Sequence, residues 1–208
     1  MLRLPVRPLT GALISALVIA TTSLLGSAPV NALPAGDESA AARVAATSIE
    51  FDTDLTLEIA RCEDCVVTLF SYDGVNPIDS YGPATVTDGS VTITLPSART
   101  AGMSVRIQPP WVTAVATDTN VAWRYNGTEI GDRIGFRKAR TKRRASGCWA
   151  GTVNEAVTLT VKVRKVPYRG RPGAIAWAPV TESYVPPMET TRRGVLVSDD
   201  VLSCNIRR

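Results

Sequence analysis

Seven of the twelve side chains from Arg133 to Arg144, in RIGFRKARTKRR, are cations, and no acid interrupts them. A cluster this dense can grip a polyanion by displacing its counterions. Arg137, Lys138, Arg140, Lys142, Arg143 and Arg144 are therefore the candidate binding residues. Phe136 is the one aromatic in the stretch, which speaks against a base-stacking surface and so against a specific nucleic-acid partner. Outside a membrane the polyanions within reach are wall polymers, acidic lipids and free nucleic acid. An anionic wall polymer, or another extracellular protein, is the expected partner. The competing reading is a solvated loop whose charges merely repel one another.

Catalytic chemistry has little to work with. The chain contains no histidine, which excludes Ser-His-Asp and Cys-His pairs, His-ligated zinc and an imidazole pH switch. It also lacks a G-x-S-x-G elbow, an S-x-x-K motif and a Gly-rich phosphate loop. Asp52 and Asp54 fall on one strand face, where a carboxylate pair or a weak calcium site would need them; a solvated polar face accounts for them equally. Asp199-Asp200 fits a turn. No enzyme activity, metal or cofactor is expected. Trp111, Trp123, Trp149 and Trp177 could line a carbohydrate-binding face, but large aromatics near a disulfide usually fill a core, and Trp149 follows Cys148. Asn126-Gly127-Thr128 is a formal glycosylation acceptor whose turn chemistry suffices to explain it.

Four cysteines, Cys62, Cys65, Cys148 and Cys204, allow three pairings. The expected one joins Cys62 to Cys65 across Glu63 and Asp64, and Cys148 to Cys204. The second bridge closes a loop long enough to contribute roughly 4 kcal/mol in the chain-entropy model. A redox centre at Cys62-Glu63-Asp64-Cys65 is disfavoured, because both enclosed residues are acids and would oppose a thiolate.

The elements that position these residues are strands. From Ser48 to Ile59 apolar and polar side chains alternate, with Ile49, Phe51, Leu55, Leu57 and Ile59 on one face. Further strand signals lie at 66–70, 84–87, 90–95, 103–107, 121–125, 157–163, 174–177 and 195–197, and no segment has a helical pattern. Val91, Ile93, Leu95, Val157, Leu159, Val161 and Val163 are expected inside with the first stripe. Asp88-Gly89 and Asn126-Gly127 have tight-turn chemistry. Many short strands with Gly and Pro punctuation predict an all-β, disulfide-bonded fold, either an antiparallel sandwich of immunoglobulin or prealbumin type or a partly open barrel.

Residues Val66 to Ile107, VVTLFSYDGVNPIDSYGPATVTDGSVTITLPSARTAGMSVRI, run strand, loop with Tyr72, Asp73 and Gly74, strand, Asp88-Gly89 turn, strand, Leu95-Pro96 and strand. This fifth of the chain resembles the prealbumin-like modules related to carboxypeptidase regulatory domains. The resemblance implies a non-catalytic accessory that adds stability or mediates adhesion.

At the other end, Arg3 and Arg7, an apolar core from about Leu13 to Leu25 and small residues up to Ala32 describe a secretory signal peptide over 1–32. Cleavage is expected after Ala32, with Ala28 as the alternative site. Residues 33–46 have the composition of a flexible tether, and 47–208 form a single β domain, with residue 110 as the alternative boundary between two modules. The leader removes two arginines and no acid, so the secreted chain has twenty-one cations against nineteen acids, a net +2. No later apolar run is long enough to span a bilayer. The leading expectation is an exported, non-catalytic β module that binds a surface polymer or partner. A secreted protease inhibitor with a basic or disulfide-braced bait loop, and a hydrolase using carboxylates alone, are the alternatives.

Overall fold

Short apolar runs broken by turn residues give short strands, and the computed structural model describes them over residues 50–71, 78–113, 118–186, 188–196 and 204. In chain order the first half comprises β1 (Asp52–Glu58), β2 (Val66–Ser71), β3 (Asp79–Thr85), β4 (Ser90–Pro96), β5 (Ser104–Gln108), β6 (Thr119–Ala122) and β7 (Arg124–Tyr125). The second half has one helix, α1 (Phe136–Thr141), then β8 (Arg144–Ser146), β9 (Ala156–Thr160), β10 (Lys162–Tyr168), β11 (Arg171–Trp177) and β12 (Glu189–Thr190). All of them belong to one unit, Thr47–Arg208. The signal peptide, the tether, Ile49, the Tyr72-Asp73-Gly74 loop, Val197 and Asp199-Asp200 lie outside the described residues.

Three sheets result, ordered β4-β1-β9, β10-β11-β6-β5-β2-β3 and β12-β8-β7. Leu55 opposes Ile93 and Leu57 opposes Val91 across the antiparallel β1–β4 pair, which concentrates the two alternating stripes on one inward face. That face packs on Val67, Leu69, Val105, Ile107 and Val121 of the six-stranded sheet, forming the first core. Of the expected inward residues that are described, Leu55, Leu57, Ile59, Val91, Ile93, Leu95, Leu159, Val161 and Val163 are buried, and Phe51 and Val157 are half-buried. The architecture is thus mostly β, disulfide-bonded and not a closed barrel.

Two pairings are parallel, β1 with β9 and β6 with β11, among otherwise antiparallel ones. The first arises because the 157–163 run is two strands. It changes sheet at Val161, whose N–H donates to the Glu58 carbonyl at 2.9 Å.

A second core lies on the opposite face of β6, β10 and β11. Along β11, Ala174 and Ala176 enter the first core while Ile175 and Trp177 enter the second, so every residue from Gly173 to Trp177 is buried. A strand covered on both faces loses polar alternation. The covering layer is α1 with β7 and β8, contributing Tyr125, Ala139 and Ala145, together with Ile134, Val195 and Leu196.

Candidate functional site

The basic stretch is not a loop. Its middle six residues are α1, and its end runs through Lys142 and Arg143 into β8. Six residues of helix are too short to stand alone in water. Here Ala139 anchors α1 in the second core, and Lys138 and Arg140 lie in its last turn, where cations suit the negative end of the helix. Thr141 Oγ1 donates to the Arg137 carbonyl at 2.9 Å, closing that end.

The fold divides the six predicted binding residues. Arg137 and Arg140 are exposed on one side of α1 and line an open groove. Lys138 is half-buried and pairs with Asp132, Nζ to Oδ2 3.5 Å. Lys142, Arg143 and Arg144 sit in extended backbone tied to other strands: the Lys142 carbonyl accepts from Thr191 Oγ1 at 2.6 Å, and the Arg143 carbonyl accepts from the Thr191 N–H at 2.7 Å. Their side chains do not line the groove.

Two further arginines complete it. Arg164 projects from β10, its guanidinium 4.1 Å from the centre of the Phe136 ring, and Arg140 lies 5.9 Å from the same ring. Arg193 enters from a tight turn closed by paired backbone hydrogen bonds between Arg192 and Val195, of 3.1 and 3.3 Å. Arg137, Arg140, Arg164 and Arg193 thus surround Phe136 and Thr141, with no acid among the described lining residues.

Phe136 and Arg164 are shared with an adjoining cleft of about 590 Å³ along the free edge of β10. Arg61, Lys162 and Lys165 add positive charge there against the single acid Glu58, while Trp111, Phe136 and Trp177 supply apolar walls. Trp177 is fixed by its Nε1 donating to the Ile134 carbonyl at 3.0 Å and lies 6.0 Å from the Phe136 ring. Trp111 Nε1 donates to the Gly173 carbonyl at 3.3 Å. The groove and the cleft form one cationic surface with an aromatic floor.

The tryptophans divide by environment. Trp149 is buried, as expected, and with Trp123 makes a core pair 6.1 Å between centroids. Trp111 and Trp177 border the cleft. Asp52 and Asp54 lie on the exposed face of β1, and Asp54 Oδ1 accepts from Thr94 Oγ1 at 2.6 Å. Among the described residues no three His, Cys, Asp or Glu side chains could hold a metal.

Both bridges pair as the spacing predicts, Cys62 with Cys65 (Cα–Cα 5.3 Å) and Cys148 with Cys204 (5.7 Å). The first braces the corner where the chain leaves β1 for β2 in the other sheet. Glu63 completes that corner by accepting from the Asp88 and Gly89 N–H groups at 3.2 and 3.3 Å. The acid beside the bridge thus holds the Asp88-Gly89 turn, a structural duty. Cys148 and Cys204 belong to the second core, beneath the groove-forming elements.

Arg61, Arg164, Arg193, Lys162, Lys165 and Trp111 were invisible as a set in the sequence because each stands in a different short segment. The Arg193-Gly194 turn and the alternation in Lys162-Val163-Arg164 were the available signals. No protein-family model, curated protein or solved structure matches this chain.

Proposed function

We propose that the chain is an exported, non-catalytic β-sandwich module that binds an anionic wall polymer through the arginine groove and the adjoining cleft. The observation that carries this reading is the convergence of four arginines from α1, β10 and the 192–195 turn around one aromatic ring. Bringing like charges together costs Coulomb energy, which a polyanion reverses while releasing its own counterions. The aromatic walls of the cleft give sugar rings an apolar surface on which to pack. Export is supported by the leader composition and by two disulfides, which persist in oxidising compartments. Among the described residues no helix is long and apolar enough to cross a membrane. The resemblance of 66–107 to accessory modules accords with a binding role.

The inhibitor alternative needs a free, extended bait loop, whereas Arg137 and Arg140 are helical and the extended Lys142 and Arg143 have their carbonyls hydrogen-bonded to Thr191. The carboxylate hydrolase needs a cleft around its acids, whereas Asp52 and Asp54 stand on an open strand face. The polymer reading is tested by replacing Arg137, Arg140, Arg164 and Arg193 with Ser and following retention on an anionic wall polymer across a salt series. The wild-type protein should elute earlier as salt rises, and the variant should lose roughly three units of the log–log slope, about 0.7 to 0.9 per lost contact by analogy with nucleic-acid phosphates. Retention that ignores both salt and the substitutions would refute the reading. Mass spectrometry of the secreted protein checks the leader: the expected N-terminus is Leu33.

A further inference from the structure

We propose that the arginine groove recognises phosphate groups, so that the polymer bound is phosphate-bearing rather than carboxylate-bearing; this rests on the polyanion-binding reading above. The first ground is side-chain type. All four cations of the groove are arginines, drawn from three separate elements, while the neighbouring lysines are directed elsewhere: Lys138 to Asp132, and Lys162 and Lys165 to the cleft. A patch serving only to supply charge has no reason to sort guanidinium from ammonium. Guanidinium is a planar fork that binds anions through paired N–H bonds, whereas ammonium acts as a point charge.

The second ground is donor number. Four guanidiniums carry roughly twenty N–H donors. A carboxylate offers two oxygens and is saturated by one or two forks. Phosphorus holds its accepting oxygens in a tetrahedral array, two non-bridging ones at each link within a polymer and three, with a charge of about −1.5 to −2, at a terminus, so forks can approach it from several sides. The groove meets that demand, because α1, β10 and the 192–195 turn deliver their arginines from different directions.

The third ground is preorganisation. Arg164 lies 4.1 Å over the Phe136 ring, and Phe136 packs in turn against Trp177 at 6.0 Å. Stacking holds the guanidinium in place while leaving its N–H edge free, so less side-chain entropy is lost on binding. No acid stands among the described lining residues, so none of those has to be displaced from the arginines on binding.

The test uses the secreted chain and two immobilised polymers of matched charge density, inorganic polyphosphate and polygalacturonate. Wild-type protein should hold polyphosphate roughly tenfold more tightly at equal ionic strength, as one added bidentate contact would give. The charge-conserving variant Arg137→Lys, Arg140→Lys, Arg193→Lys should lose most of that preference while keeping its grip on polygalacturonate. These three side chains are exposed, and an unchanged thermal transition shows that the variant is folded. A second measurement needs no variant: free inorganic phosphate should displace wild-type protein from polyphosphate at lower ionic strength than acetate does. Equal affinity for both polymers, a lysine variant that behaves as wild type, or equal displacement by acetate would overturn phosphate recognition and leave polyanion binding standing. Retention on neither polymer would overturn the polyanion reading itself.

Discussion

Gly194 is the residue on which the groove's third side depends, and its replacement by Ala separates packing from backbone strain. The residue has φ +79°, and a Cβ built on it would stand 2.6 Å from the Arg140 Cα, 2.6 Å from Ile175 Cδ1 and 2.7 Å from the Ala139 carbonyl oxygen. Two of those three neighbours are helix backbone, so the turn can accommodate a methyl only by moving away from α1. The left-handed conformation alone costs an L-residue roughly 1–2 kcal/mol. Overpacking adds about 1–3 kcal/mol, for a total on the order of 3 kcal/mol. In a chain of this size that lowers the thermal midpoint by roughly 6 to 12 °C. Gly127 supplies the control: its φ is +75°, yet nothing lies within 4 Å of the Cβ position. Gly127→Ala should therefore carry only the backbone share, about 1–2 kcal/mol. Urea denaturation of both variants measures the difference, and polyphosphate retention should fall for Gly194→Ala alone, because only that change shifts Arg193 relative to Arg140. Equal destabilisation by the two substitutions, or Gly194→Ala at wild-type stability, would refute the packing of the turn on α1.

Cys148→Ser should lower stability by about 2–5 kcal/mol, whereas Cys62→Ser, opening a four-residue loop, should cost roughly 2 kcal/mol by the same loop-entropy relation, and chemical denaturation compares them. Leu57→Ala, at a position 1% exposed in the first core, should cost about 2–5 kcal/mol in the same assay, while leaving the salt dependence of polymer retention as it is. Asp118 is buried, which raises its carboxyl above the ordinary aspartate value against the opposing pull of Arg106, whose Nε lies 2.8 Å from Oδ2. The folded chain therefore binds that proton more tightly than the unfolded chain, and the group's contribution to stability declines as pH rises from the ordinary aspartate value through the raised one. The stability of wild type minus that of Asp118→Asn, measured in urea across this range, should shrink with rising pH; a growing difference would contradict the burial argument.

What could be read in the sequence followed from how many residues carry each pattern. The alternation around β1 spreads over the dozen positions from Ser48 to Ile59 of the sequence, enough to identify the strand and its inward face, and Asp88-Gly89 marks a turn because both residues take positive φ, 51° and 75°. Strand partners are a different matter. Alternation says which side chains share a face, not which strand lies alongside, so the parallel β1–β9 and β6–β11 pairings left no local trace. β11 hid for the opposite reason: with Ala174 and Ala176 facing one core and Ile175 and Trp177 the other, it lacks a polar face. α1 is shorter than two turns and buries only Ala139, too little for a 3.6-residue period to register against the charges around it.

The same division explains why the groove was only half legible. Binding surfaces on β-sandwiches commonly gather on loops at one end, but the arginine groove lies on a second layer laid over β6, β10 and β11. That layer is made of pieces too short to fold alone, held by the second core, α1 through Ala139 and the 192–195 turn through Val195 and Leu196, and β10 beneath them joins the same core through Val166 and Tyr168. Cys148 and Cys204 lie in that same cluster. The C-terminal bridge therefore ties down the elements that supply the groove's arginines, whereas the Cys62–Cys65 bridge lies in the first core, which needs no arginine to form. Charge density in one stretch found Arg137 and Arg140, the two that are local. Arg164 and Arg193 join them only because the second core brings β10 and the turn against α1, and that long-range packing has no counterpart in the spacing of the residues along the chain.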